Sequence, residues 1–210
     1  MTTSVEWDYF LSIEEDFIRT IPFVEPRKGN FDTYSTQYAK ILLAAASETD
    51  TVLKRLCKTI DPSCRKKSEQ GYREFLVKGK RVPLLNAKAK SLRFGLSSTP
   101  WASYDFDNPQ TPEWWTAYNK VKHHLDEGFR RATLRNTFDA ICGLFVSLLF
   151  LYETEGLLQL SPAPWLLDVE EGFRAKRTRL ISTEETALLL IANLPDDRRK
   201  LFEDAFSGPS

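Results

Sequence analysis

The chain is 210 residues long, with 42% apolar and 28% charged residues, and its 29 acidic residues balance 29 basic ones. That is enough chain for one domain with a real hydrophobic core, and the composition excludes an intrinsically disordered protein. The zero formal net charge gives no global field to draw the chain to nucleic acid or to a membrane surface, and leaves that role to local basic patches.

Met1 to Trp7 lacks a basic segment followed by an apolar one, so no secretory signal is expected. The first helix is expected over residues 7–20. Trp7, Phe10, Ile13, Phe17 and Ile21 recur at three- and four-residue steps around Glu14, Glu15 and Asp16, an amphipathic period. Pro22 and Pro26 end it. A long second helix is expected over 32–60, where Tyr34, Tyr38, Ile41, Leu42, Ala45, Val52, Leu53 and Leu56 form one stripe, and Asp61-Pro62 stops it. A short helix carrying Tyr72 and Phe75 is expected over 68–77.

Over residues 78–108 the helical signal fails. Gly79, Pro83, Gly95 and Pro100 punctuate apolar pieces at Val82–Leu85 and Leu92–Leu96, which read as two short strands or an ordered loop. A stretch of this length without a helix is often functional, the plainer alternative being a flap over the helices.

Helix signals resume at Thr111-Pro112-Glu113, with Thr111 as N-cap, Pro112 at the first helical position and Glu113 facing the positive end of the dipole. This helix runs to about His124, and Gly128 marks a break. A strongly apolar helix is expected over 132–153, and its longest uncharged stretch, Ala140 to Tyr152, is shorter than the roughly 20 residues of a membrane span. Such a helix is central, or packed against a second chain.

Cys57, Cys64 and Cys142 are an odd set without paired spacing, and the chain has two histidines. A disulfide framework and a histidine-rich metal site are thereby excluded, no metal or cofactor is expected, and the usage fits a reducing, cytoplasmic setting. Beyond Gly156, Pro162, Pro164 and Trp165 read as a loop anchored by its aromatic. A basic cluster follows at 174–179, then capping-box spacing at Ser182–Glu185 before Ala187–Ala192, and a last helix over 195–206. The expected architecture is an all-α helical bundle over residues 1–156, with the extended insertion 78–108, and a small helical extension over 157–210 packed on it.

The segment Thr111–Asn136 concentrates chemistry. On a helix, Trp115, Asn119 and His123 fall on one face at four-residue steps, with Trp114, Tyr118 and Lys122 on the neighbouring row. Arg130, Arg131 and Arg135 follow. Imidazole exchanges protons near neutral pH. Metal-free RNA cleavage needs a base on the ribose 2′-hydroxyl, an acid for the leaving oxygen, and cations or donors on the phosphate. His123 suits the proton transfer, Asn119 the orientation of imidazole or phosphate, Lys122 the phosphate charge, and Trp115 stacking on a base. The plainer reading makes the paired tryptophans core anchors and the Asn–His pair a structural hydrogen bond. His124, about 100° round the helix from His123, faces solvent. Glu48 and Asp50, on the long second helix, are candidates for supporting the site from behind, or members of a solvated face beside Lys54.

The run Tyr118-Asn119-Lys120-Val121-Lys122-His123 resembles a variant of the R-x4–6-H motif of HEPN domains, all-α domains that often carry Asn after the Arg. Asn119 and His123 match the second and last positions of R-N-x-x-x-H, and Tyr118 replaces the Arg. The likeness spans residues 32–153 in helical layout and is sharp over 113–136, where the chain is similar to bacterial HEPN-like proteins. The resemblance implies a homodimeric, metal-independent ribonuclease of a toxin or defence system, with two motifs facing one cleft, or else a degenerate relative that binds a partner protein or nucleic acid. Tyrosine lacks the guanidinium's permanent charge, so Lys122, Arg130 or Arg131 would have to supply it. A third reading is a small-molecule pocket lined by Trp101, Trp114 and Trp115.

Overall fold

The computed structural model describes residues 4–79, 82–157, 159–169 and 179–180. In chain order its helices are α1 (Val5–Ile18), α2 (Thr36–Ile60), α3 (Glu69–Lys78), α4 (Val82–Asn86), α5 (Glu113–His123), α6 (Leu125–Gly128) and α7 (Leu134–Glu155). Its strands are β1 (Ala89–Ser91), β2 (Leu96–Ser98), β3 (Gln159–Leu160), β4 (Asp168–Val169) and β5 (Arg179–Leu180). The expected helical segments within 181–210, and the basic cluster at 174–178, lie outside the described residues.

Hydroxyl side chains start the main helices. Ser4, Ser35, Ser68 and Thr133 cap α1, α2, α3 and α7, each accepting from the backbone N–H three residues on, which satisfies a donor the helix itself cannot. Ser35 therefore places Tyr34 outside α2. The sequence stripe counted Tyr34 as core, but it is exposed and bridges to Thr133. The start of α5 also differs from expectation. Pro112, with φ −57° and ψ 143°, is the N-cap residue, because its ring fixes φ while ψ stays extended. Thr111 turns away and its hydroxyl donates to Glu69 Oε2 at 3.0 Å. At its far end α7 stops on Gly156 in the left-handed conformation (φ 76°), which glycine adopts without steric cost.

The core is centred on the α2–α7 pair, with α1 laid across it. Phe10 stacks on Phe145 of α7 at 5.4 Å between ring centroids, Trp7 packs on both, and Phe17 meets Tyr38 of α2 and Phe138 of α7. Each such ring contributes roughly 1.5–3 kcal/mol of burial. The 22-residue α7 is long and apolar enough to cross a membrane, yet 83% of its most apolar window is buried inside the fold, as in a core helix. Arg55 of α2 ties the ends of the helices together, bonding Glu155 with two nitrogens at 2.7 Å and Glu6 at 2.6 Å.

The insertion 78–108 holds two short strands, displaced from the apolar pieces read as strands, followed by turns and irregular chain over 99–108. Val82–Leu85, read from sequence as a non-helical piece, opens the short α4, and a hairpin follows: β1 pairs antiparallel with β2 (Ala89 opposite Ser98) around a turn with Gly95 at φ 61°. β4 completes an antiparallel three-stranded sheet in the order β2-β1-β4, and β3 pairs in parallel with β5. The protein is thus mostly helical, as expected, with a small three-stranded antiparallel sheet. Trp165 does not anchor the 162–167 loop, being 86% exposed. Glu14 of α1 does so, its buried carboxylate accepting the N–H groups of Trp165, Leu166 and Leu167 at 2.8–3.1 Å.

Candidate functional site on α5 and the start of α7

One face of α5 is cemented into the fold. Trp114, Trp115, Ala117, Tyr118 and Val121 are buried. Trp114 lies edge-on to Trp101 at 5.2 Å, donates its indole N–H to the Pro100 carbonyl at 3.0 Å, and rests on Gly143 of α7, where an added Cβ would come within 2.8 Å of its ring. Trp115 packs against Trp114 and Trp101. The three indoles fill one another's space, so they act as a core cluster and not as the walls of a ligand pocket. Trp115 has no open face for a base, and the core-anchor reading holds for both tryptophans of α5.

The opposite face carries Thr116, Asn119, Lys122 and His123, all exposed. The side chains of Asn119 and His123 make no hydrogen bond among the described residues, so the structural side-chain Asn–His bond of the plainer reading is not formed. Tyr118, where the HEPN pattern has Arg, points inward. Its hydroxyl accepts a 3.0 Å hydrogen bond from Lys122 Nζ, which also sits 5.2 Å from the ring centroid. That bond first, and the Asp50 carboxylate of α2 behind it, hold the Lys122 ammonium above the usual lysine pKa. Lys122 is thereby a fixed, protonated charge one residue from His123. His124 is exposed as expected.

Asp50 and Glu48 part ways. Asp50 sits between α3 and α5, where it adds to the burial that pushes the Tyr72 hydroxyl far up, and it also acts on Lys122. Glu48 lies toward α1: its carboxyl is raised by burial and then by Glu6. Only Asp50 stands behind the α5 face.

The arginines do not join His123 within one chain. After His124 the chain doubles back along α5. The Gly128 N–H reaches the His124 carbonyl at 2.6 Å, and a Cβ on Gly128 would meet Lys120 O at 2.5 Å. This return carries Arg131 to Glu113, at 3.0 Å, at the opposite end of α5. Ten helical steps of about 1.5 Å put some ~15 Å between the two ends. There Arg130, Arg131 and Arg135, with Asp32, Tyr34, Glu113, Thr133 and Asn136, line an open cavity of about 510 Å³, three cations against two carboxylates. Arg135 lies over the Phe31 ring at 5.2 Å and faces Asp139 at 3.5 Å, while Arg130 has no ion pair among the described residues. Asp32 and Tyr34 were missed as site residues. The signal that could have found them is Ser35, whose N-cap chemistry releases the preceding residues from α2. No cluster of metal-ligating side chains occurs among the described residues. In comparisons with known protein families, curated proteins and solved structures, nothing matches this chain.

Proposed function

We propose that this is a HEPN-like RNA-handling protein of the toxin or defence type, with the exposed Asn119–His123 row of α5 as its reactive surface. The observation that carries the reading is the contrast between the two faces of α5. Every large side chain that positions the helix is buried, whereas Asn119 and His123 are solvent-facing and unengaged. In metal-independent cleavage, His123 takes the proton from a ribose 2′-hydroxyl as that oxygen attacks the adjacent phosphorus. The P–O5′ bond breaks, leaving a 2′,3′-cyclic phosphate and a 5′-hydroxyl end. Lys122, held by Tyr118 and Asp50, meets the charge that develops on the phosphate, and Asn119 orients the imidazole or the phosphate. The proton for the leaving oxygen comes from a second copy of the chain facing the same cleft.

A degenerate, RNA- or protein-binding module is the second reading. It is favoured by the inward turn of Tyr118 and the passage of Arg131 to the far end of α5, which among the described residues take these candidates for the phosphate charge away from His123. RNA cleavage by the purified protein, with and without a chelator and beside a folded His123→Ala variant, separates the two. Chelator-resistant cleavage that vanishes in His123→Ala is the expected result. RNA that is bound but left intact by both proteins would replace the enzyme with the module.

A further inference from the structure

The cavity at the start of α7 is built independently of His123. The loop before α2 is pinned to α7 by backbone bonds: Leu134 N–H donates to the Thr33 carbonyl at 2.8 Å and Arg135 N–H to the Phe31 carbonyl at 3.2 Å. Asn136 N–H is capped by Thr133 Oγ1 at 3.2 Å. The helix N-terminus is therefore already satisfied, and any anion in the cavity must be held by side chains. Three arginines are available, in different states. Arg135 is preset by its stack on Phe31 and by Asp139. Arg131 is tied to Glu113 through a pair in which both side chains are more than half exposed, a contact that contributes little and exchanges readily. Arg130 is free of ion pairs among the described residues. Guanidinium groups bind phosphate oxygens in pairs of parallel hydrogen bonds, and part of the ordering cost is met in advance for Arg135.

The rest of the lining is not what a bare phosphate would need. Tyr34 is 44% exposed, yet its backbone is fixed by the bridge to Thr133 and its ring by an edge-to-face contact with Phe129 at 5.6 Å. That leaves an aromatic surface held in place at the cavity wall. Asp32 lies beside it, exposed. A carboxylate repels phosphate but accepts hydrogen bonds from vicinal hydroxyls, as acidic residues do with ribose elsewhere. Cation, aromatic ring and carboxylate together match the three parts of a ribonucleotide, and a volume of about 510 Å³ accommodates one.

We propose that this cavity binds a ribonucleoside phosphate, free or at the end of an RNA strand, with Arg130, Arg131 and Arg135 on the phosphate, Tyr34 against the base and Asp32 on the ribose hydroxyls. The site goes beyond the α5 surface and stands whether or not His123 cleaves.

The test is calorimetric titration of the full chain, carrying His123→Ala so that no probe is consumed. The probes are adenosine 5′-monophosphate, its 2′-deoxy counterpart, and a short RNA with or without a 5′-phosphate. Binding of a phosphorylated ribose probe is expected, weakened about tenfold or more by Arg130→Ala, weakened by Tyr34→Ala, and losing its preference for ribose over deoxyribose in Asp32→Ala. The free nucleotide and the two RNAs identify the source of the ligand. Arg130, Tyr34 and Asp32 are exposed, so their variants fold, and an unchanged thermal midpoint verifies this. Absence of binding by all phosphorylated probes, or binding indifferent to Arg130→Ala and Tyr34→Ala, overturns the site. RNA cleavage by the wild type is a separate readout, so failure of the cavity and failure of the α5 reading are told apart.

Discussion

Single glycines set the path that separates the histidine from the arginines. At Gly128 a methyl group would meet backbone, the Lys120 carbonyl at 2.5 Å and the Val121 nitrogen at 2.9 Å. Backbone inside a helix cannot step aside as the end of a side chain can, so Gly128→Ala must push the 124–131 return off α5. Overpacking of this kind costs about 1–3 kcal/mol. Gly29, with nothing within 4 Å of an added Cβ and no positive φ, is the matched control, and Gly29→Ala stays within about 0.5 kcal/mol. Chemical denaturation checks both: a lower midpoint for Gly128→Ala only is expected, and equal midpoints would mean that the return does not lie against α5. Cys57 illustrates the same dependence on surroundings. Burial pushes its thiol up to about 12, with Cys64 close by, which makes it an inert core residue and not a reactive one.

At the level of elements, Glu14 is the clearest coupling between distant parts of the chain. Its carboxylate on α1 receives three N–H groups from residues 165–167, while burial, the largest influence, raises its pKa above the usual 4.5 and those three bonds lower it in part. A carboxyl whose pKa is higher folded than unfolded contributes stability that is complete below the unfolded value and is lost as pH rises through the folded one. Wild-type stability should therefore fall from about pH 4.5 upward by a component that Glu14→Gln removes. The amide also presents N–H to the Trp165 N–H, costing about 1–3 kcal/mol for the unsatisfied group. Denaturation across this pH range reads both effects: a lower and flatter profile for Glu14→Gln is expected, and two parallel profiles would refute the assignment.

The elements legible in the sequence were those whose information is local. α1, α2, α3 and α7 show as apolar stripes bounded by proline, glycine or a hydroxyl residue; their ends differ by a residue or two from expectation, and the largest shift is at the start of α2, where the Ser35 cap was overlooked. The sheet was not legible as such. Its strands are two or three residues long, and β1 finds its second partner at Asp168–Val169, on the far side of α7, a pairing that no local period encodes. The α5 row of Asn119 and His123 followed from helical spacing, since their exposure on one face needs only 3.6 residues per turn. The position of Arg130 and Arg131 did not, because the reversal after His124 depends on Gly128 fitting against Lys120, a tertiary contact.

For the molecule as a whole, stability and candidate function reside in different places. The crossing of α1 with α7 at Phe145, where Trp7 and Phe10 converge, is one of two aromatic contacts, with that of Phe17, through which the N-terminal helix joins the α2–α7 core. Removing that ring takes away the α7 partner of two α1 rings, Trp7 and Phe10, and leaves a cavity that rigid neighbours cannot fill. Phe145→Ala should cost about 3–5 kcal/mol, a large share of the roughly 5–15 kcal/mol that holds a typical domain. His123→Ala, at an exposed position whose side chain makes no hydrogen bond among the described residues, should stay within about 0.5 kcal/mol, so that any change it makes in the RNA cleavage assay is not one of folding. Thermal unfolding followed by tryptophan fluorescence and by circular dichroism checks the contrast. In a Trp7→Phe background the buried Trp101–Trp114–Trp115 cluster reports α5 without the tryptophan that packs on Phe145, so a shared shift in Phe145→Ala means that both helices depend on one core. If only the circular dichroism transition moved while the fluorescence transition stayed, the tryptophan cluster would be an independent unit, and α5 would hold its exposed row without support from α1.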